Sequence, residues 1–307
     1  MGKYILRRTL VALMLVLVIS VLVFVMLRVA LPGDPAILLA GDRASPELIA
    51  QIRKNLGLDR PVTEQLVIYL TNAIRGDLGR SIQFGEPVFG VIIKAFPFTI
   101  TLTFLSVTVG TLIGLGVGIL TAVKRGTWID SISIVVVVFF YSIPSFWLGL
   151  VLILIFAVGL RILPVQGSST WQHFVLPVTT LAVGQSALIA RLTRTNMVET
   201  LGAAFIQTAR SKGLSERNVV FRHALKNTLI PIVTIVGLSI GGLLGGAVIT
   251  ENIFGLPGVG RVAIDAIAAR DYPMIQGTVL LVAITFVFVN LITDIIYVYV
   301  DPRIRYD

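Results

Sequence analysis

Glu199 to Lys226 reads ETLGAAFIQTARSKGLSERNVVFRHALK, a polar, basic stretch lying between long apolar runs. Read as a loop joining two membrane-crossing segments, it decides the fold. The remainder of the chain agrees: 56% of the 307 residues are hydrophobic and 13% charged, with a mean hydropathy of +0.93. Soluble domains carry about 25% charged residues. Six stretches, near 9–31, 98–123, 131–158, 174–193, 228–250 and 276–300, each offer the ~20 apolar residues that cross ~30 Å of hydrocarbon. The runs are continuous and lack period-2 alternation, which excludes a transmembrane barrel. An all-α membrane protein with six transmembrane helices is expected.

Details of the runs sharpen this expectation. Lys3, Arg7 and Arg8 precede the first one, as they would precede a signal peptide. Its apolar length exceeds a signal core, and Leu31-Pro32-Gly33-Asp34-Pro35 follows in place of a small-residue cleavage site, so it reads as a retained span. The third run contains Pro144, tolerable in a membrane helix if neighbouring groups satisfy the freed carbonyl. The fourth carries Thr179, Thr180, Gln185 and Ser186 and needs the interior of a bundle. There are no cysteines, so disulfides, thiol catalysis and cysteine metal sites are excluded.

Six spans place both termini on one side. That side holds Lys3, Arg7, Arg8, Lys124, Arg125, Arg191, Arg194, Arg210, Lys212, Arg217, Arg222, Lys226, Arg303 and Arg305, against Asp130, Glu199, Glu216, Asp301 and Asp307. The positive-inside rule makes it cytoplasmic, together with the 194–227 loop. A basic balance of +9 also suits nucleic acid, but charge spread along a membrane face is better explained by anionic lipid.

The opposite loop, about 32–96, reads as partly helical. Ser45 can cap a helix with Pro46 and Glu47 in its first turn, Leu48, Ile49, Ile52 and Leu56 on one face, and Gly57 at its end. A second amphipathic run after Pro61 aligns Val62, Leu66, Leu70 and Ile74 and stops at Gly76. The pair is either a lid on the rim of the bundle or a platform for an external protein; periodicity favours the lid.

Within the cytoplasmic loop, residues 195–212 read as one helix ended by Gly213 in a left-handed cap. Ser215 can cap a second, carrying Val219, Val220, Phe221, Ala224 and Leu225. Such an amphipathic pair can seat in a groove of a partner or lie on the lipid surface. The physics of the loop leaves both open.

The segment Gln207-Thr208-Ala209-Arg210-Ser211-Lys212-Gly213 resembles the EAA loop of ABC importer permeases. It departs from that pattern with Gln207 in place of the glutamate, Thr208 in place of the first alanine and Leu225-Lys226 in place of Leu-Pro. Further blocks resemble the B-type permease of dipeptide and oligopeptide importers. They are Tyr4-Ile5-Leu6-Arg7-Arg8, Leu31 to Ala36, Leu56-Gly57-Leu58-Asp59-Arg60-Pro61-Val62 and Gly76-Asp77-Leu78-Gly79-Arg80-Ser81. Later in the chain come Ser142-Ile143-Pro144-Ser145-Phe146-Trp147, Glu251-Asn252-Ile253-Phe254, Pro257-Gly258-Val259-Gly260 and Asp294-Ile295-Ile296-Tyr297. The blocks run the length of the chain in order.

The resemblance implies a type I ABC importer permease fold as one transmembrane domain over 1–307, in a bacterial plasma (inner) membrane. It implies a C-type permease partner, two ATPase subunits or domains that bind ATP and Mg, an extracytoplasmic substrate-binding protein and a peptide substrate, with a nickel complex, glutathione or a saccharide as the alternative cargo. No cofactor and no ATPase site are expected on this chain. In that family the EAA helix couples the ATPase to the spans. Carried over, Gln207, Ala209, Arg210, Lys212 and Gly213 are coupling residues, with Arg222 and His223 beside them. Pro144, Glu251 and Asp294 are candidates for the translocation path or gate.

Other signals read as incidental. Gly237-Leu238-Ser239-Ile240-Gly241 matches G-x-S-x-G, but it lies inside a span, and His173 and His223 fall on opposite faces. Gly255 to Gly260 lacks the Lys-Ser or Lys-Thr of a phosphate loop. Gly110/Gly114/Gly118 and Gly241/Gly245 fit close helix packing. Asp294, an acid well inside a span, is expected to pair with Arg191 or Arg194; the alternative is an ion-coupling carboxylate in a secondary transporter.

Overall fold

The computed structural model describes residues 2–29, 36–37, 44–55 and 57–300. The block Leu31 to Pro35, the link Leu56, and the closing residues from 301 lie outside them. Among the described residues the chain is helical throughout apart from turns and one isolated bridge between Arg80 and Pro87. Four helices cross unbroken: α1 (Gly2–Val29), α4 (Val88–Val123), α7 (Gln172–Leu201) and α13 (Tyr272–Val300).

The other two of the six expected spans are bent. α5 (Trp128–Ser142) and α6 (Ser145–Leu152, prolonged by a π-helical stretch Ile153–Gly159) meet at 97°. The cause is local. Proline disfavours the helical conformation in the residue before it, and Ile143 and Pro144 are both extended, at ψ 124° and 132°. The fifth span starts as a short α9 (Glu216–Asn218), passes through a π turn (Val219–Ala224) and becomes α10 (Leu225–Gly246). It bends by 51° near Pro231.

The centre of the bundle is the seam between α4 and α7. A Cβ on Gly110 would fall 2.8 Å from Gln185 Cβ, on Gly114 2.7 Å from Ile189 Cβ, and on Gly118 2.5 Å from Thr193 Cβ. The offset between partners is the same at each step, so the two helices run parallel, and every fourth residue is glycine where the backbones approach most closely. The glycine spacing is thus intramolecular packing, as expected from small-residue association of membrane helices. On the other flank α10 and α13 run antiparallel, with Gly237 against Thr293 and Gly241 against Phe286.

The near face of the bundle carries the start of α1, the turn 124–127 and residues 202–215. The far face carries α2 (Pro46–Asn55), α3 (Val62–Ile74), α11 (Val248–Ile253) and α12 (Val259–Ala268). On that face the Leu48 amide donates to Ser45 Oγ at 3.3 Å, and Gly57 (φ +64°) ends α2, as the sequence predicts. The chain turns after α3 at Gly76 (φ +80°). The predicted apolar stripe of α3 is only half used. Tyr69 stacks on Phe24 of α1 at 5.7 Å, whereas Val62 and Ile74 stand exposed. The turn after α3 is tied down by Asp271. Its fully buried carboxylate accepts from Ser81 Oγ, from the Gln83 amide at 3.0 Å and from the Met274 amide at 3.1 Å.

Candidate functional site: the helix on the near face

α7 stops at Leu201. Gly202 closes it, Ala203 is extended (φ −71°, ψ 150°), and α8 (Ala204–Ser211) begins in a new direction. The single helix expected over 195–212 is therefore two, because Gly202 and Ala203 together interrupt it. α8 is short, and burial rather than propensity holds it in place. Its inner face, Ile206 and Ala209, is buried among Ala122 at the end of α4, Met197 of α7, and Val219, Val220 and Ala224 of the π turn. Its outer face presents Gln207, Thr208, Arg210 and Lys212 to solvent.

Gly213 has φ +75°, as its position in the sequence predicts. The turn is closed by the Gly213 amide on the Arg210 carbonyl (2.9 Å) and the Leu214 amide on the Ala209 carbonyl (3.3 Å). The Arg210 guanidinium adds a two-pronged clip to Glu216, at 2.8 and 3.2 Å. Ser215 occupies the cap position of the next helix, but through its backbone: the Val219 amide donates to the Ser215 carbonyl, and the side chain makes no cap bond. Arg222 is exposed and His223 half-buried on the π turn, and Phe221 points outward. Of the seven predicted coupling residues, Ala209 is an anchor, Gly213 is the hinge of the turn, His223 is half-buried, and Gln207, Arg210, Lys212 and Arg222 are exposed.

The sequence reading missed a second brace at this end. Asp130, buried at the start of α5, accepts from Arg194 Nε and Nη2 at 2.7 and 2.9 Å and from the Gly126 amide at 3.1 Å. The bidentate pair locks the 124–127 turn onto α7 beside the cluster that holds α8. An acid two residues past Trp128, at the start of an apolar run, was the available signal.

Asp294 is paired, though with neither Arg191 nor Arg194. Its partner is Arg8 of α1, at 2.9 Å. Arg194 is taken by Asp130, and the Arg191 guanidinium lies over the Tyr141 ring at 5.2 Å. The reason is topological: this face of α13 packs on α1, with Arg8 and Asp294 closing one end of the groove between them. Half-exposed pairs contribute about 0–1 kcal/mol. Asp294→Asn should therefore lower the thermal midpoint of the purified protein only slightly. A drop as large as that of a buried-pair deletion, about 3–5 kcal/mol, would contradict the partly exposed placement.

Glu251 lies on α11 at the far face, 1% exposed. Thr99 Oγ1 donates to its Oε1 at 2.6 Å, and the Gly260 and Arg261 amides donate to its Oε2 at 2.8 and 3.1 Å. Burial pushes the carboxyl pKa up, against the pull of these donors. A Cβ on Gly258 or Gly260 would strike this carboxylate, which accounts for the Pro257-Gly258-Val259-Gly260 turn. Pro144, Glu251 and Asp294 thus occupy three separate places: a helix break, a far-face staple and a near-face pair.

Ser239 is inside α10, and His173 bonds to Thr170 at the far face, so no nucleophile and base come together. Among the described residues no cluster of His, Cys, Asp or Glu could hold a metal.

Two family models cover the chain. Residues 1–103 match the N-terminal model of binding-protein-dependent transport system membrane components. Residues 114–306 match the binding-protein-dependent transport system inner membrane component. The chain belongs to the binding-protein-dependent ABC importer permeases. Relatives in this family include the glutathione transport system permease protein GsiC of Escherichia coli O6:H1, 42% identical over 100% of both chains. Its counterparts in E. coli K12 and Shigella dysenteriae serotype 1 are 41% identical over the same span. Among solved structures, the inward-facing MetNI methionine ABC transporter superposes with a TM-score of 0.59 at 23% identity, covering 70% of this chain and 99% of that one. The permease therefore has the type I ABC importer fold and is a multi-pass inner-membrane protein.

Proposed function

We propose that this permease is the B-type subunit of an ATP-driven importer of short peptides, with dipeptides, oligopeptides and glutathione as the substrates to test. Its near face is cytoplasmic, with both termini there and the basic residues facing anionic lipid. A C-type permease completes the translocation path, an extracytoplasmic binding protein delivers substrate to the far face, and two ATPase subunits hold ATP and Mg. The observation that carries the coupling role is α8. Its apolar side is locked to the ends of α4, α7 and the fifth span, while its polar side is free to seat in a partner's groove. Because the π turn leads without a break into the fifth span, a push on α8 is delivered to a membrane helix.

This chain purified alone should hydrolyse no ATP, and hydrolysis should require the ATPase subunits; turnover by the single chain would remove the case for separate motors. The ion-coupled alternative rests on Asp294, which Arg8 already neutralises. In vesicles containing the complete complex, uptake should follow internal ATP and survive an uncoupler. Uptake that survives ATP depletion and collapses with the uncoupler would decide for ion coupling.

A further inference from the structure

The break in the third span opens a recess of about 360 Å³ between α5, α6, α7 and α10, within the ~300–1,000 Å³ range of ligand pockets. It lies partway along the spans and opens to one side, with Ser145 and Gly242 of its wall exposed: Gln185 is about 20 Å along α7 from its start at 1.5 Å per residue. Non-helical backbone at that depth is tolerated only where protein buries it or a wet cavity adjoins it. The recess meets that need, with Ser145, Thr180, Gln185 and Ser239 in its wall.

Two observations indicate that something other than this chain fills it. Gln185 is nine-tenths buried, and its amide nitrogen is one of seven buried side-chain polar atoms without a hydrogen-bond partner among the described residues, the one of them that belongs to a residue lining this recess. Gly184 and Gly242 also line the recess, and a Cβ on either would meet nothing within 4 Å. Both contrast with Gly110, Gly114 and Gly118, whose missing side chains are required by α7. At Gly184 and Gly242 the space is left open.

The chemistry of the wall selects the occupant. No charged side chain lines the recess among the described residues, so it has nothing to hold a carboxylate, an ammonium group or a metal complex. The Gln185 carboxamide and the Ser145 and Ser239 hydroxyls offer both donors and acceptors, the complement of a peptide bond, while the buried Thr180 hydroxyl already donates to the Leu176 carbonyl at 2.8 Å. We infer that this recess is a substrate subsite on the translocation path, where Gln185 and the neighbouring hydroxyls receive the uncharged amide stretch of a peptide while its charged ends lie elsewhere. The inference rests on the peptide-importer reading and adds to it the residues and the part of the substrate involved.

The test uses the complete complex in proteoliposomes, with the binding protein outside, ATP inside, and labelled glutathione and trialanine as probes. Gly242→Leu places a side chain in open space and fills the recess. Gln185→Met keeps length and removes the amide. Each should cut uptake about tenfold, the equivalent of one good hydrogen bond or its steric exclusion, with the C-type permease still present in stoichiometric amount. Gly116→Leu, at an exposed position of α4 outside the recess with equally open space, should transport as the parent does. Parent-like uptake by Gly242→Leu and Gln185→Met, or an equal loss in Gly116→Leu, would overturn the subsite alone. Loss of the C-type permease from the Gly242→Leu complex would overturn it in favour of a subunit contact. A parent complex that imports neither probe would bring down the peptide reading and the subsite with it.

Discussion

Gly118→Val is expected to leave almost no folded chain in the membrane. The added Cβ alone would fall 2.5 Å from Thr193 Cβ and 2.8 Å from the Ala190 carbonyl oxygen. Neither is the tip of a flexible side chain, so relief requires α4 and α7 to separate by about 1 Å. Gly114 and Gly110 hold the same seam closed one and two turns away, so separation at one point costs contacts at all three. Overpacking a core costs about 1–3 kcal/mol in ordinary cases, and valine at a backbone crossing belongs at or above the upper end. Between membrane helices no hydrophobic term compensates, because association depends on this packing. Gly116→Val, two residues away where a Cβ meets nothing, should accumulate normally. The check is the amount of chain in detergent-solubilised membranes and its thermal midpoint. Equal midpoints for the two variants would show that the seam does not hold the bundle.

Gly213→Val should have the largest effect on transport with the smallest effect on the spans. A Cβ at Gly213 meets nothing within 4 Å, so the whole penalty is in the backbone. An L-residue at φ +75° pays about 1–2 kcal/mol, and a β-branched one more. The turn instead relaxes, drawing the Ala209 and Arg210 carbonyls out of their bonds and freeing α8 from its cluster. Membrane insertion and the ligand affinity of the binding protein should stay near normal. Uptake and transport-stimulated ATP hydrolysis should fall together, by about tenfold or more if ~1.4 kcal/mol of docking is lost. Gly213→Asn, which enters the left-handed region readily, should recover most of both. Wild-type transport by Gly213→Val in a complex of normal composition would mean that α8 is not the coupling element.

Features set by short-range chemistry were legible in the sequence. The six apolar runs carry their own length criterion. Gly57, Gly76 and Gly213 end helices with positive φ, as their positions indicate, and the i, i+4 glycines of α4 announce a close crossing. Of the polar residues that marked the fourth run as interior, Thr180 and Gln185 are buried and Ser186 is half-buried, whereas Thr179 is exposed. The near-face loop was recognised as a turn between two helical parts, although its helices begin and end elsewhere.

What the sequence left undecided depends on neighbours distant along the chain. Pro97 and Pro177 sit inside unbroken helices, Pro231 accompanies a 51° bend, and Pro144 a 97° break. The residue type is the same each time and the outcome differs, so proline alone does not decide whether a span breaks. Asp294 shows the same limit. An acid in a span demands a cation, but which one is decided by α13 lying on α1, and so Arg8 was chosen over Arg191 and Arg194. Asp130 and Asp271 look like ordinary surface acids at segment ends, and Glu251 reads as a candidate for the path or gate, yet each is buried because donors from other elements converge on it. The sequence by itself determined where the chain is apolar, where it turns, and which residues could be left-handed, since those depend on one residue and its immediate neighbours. The tertiary structure decided which helices touch, and with them the long-range pairs Arg8–Asp294 and Arg194–Asp130, the buried acids and the open recess, because a charge or a cavity in a membrane protein has no meaning until its surroundings are assembled.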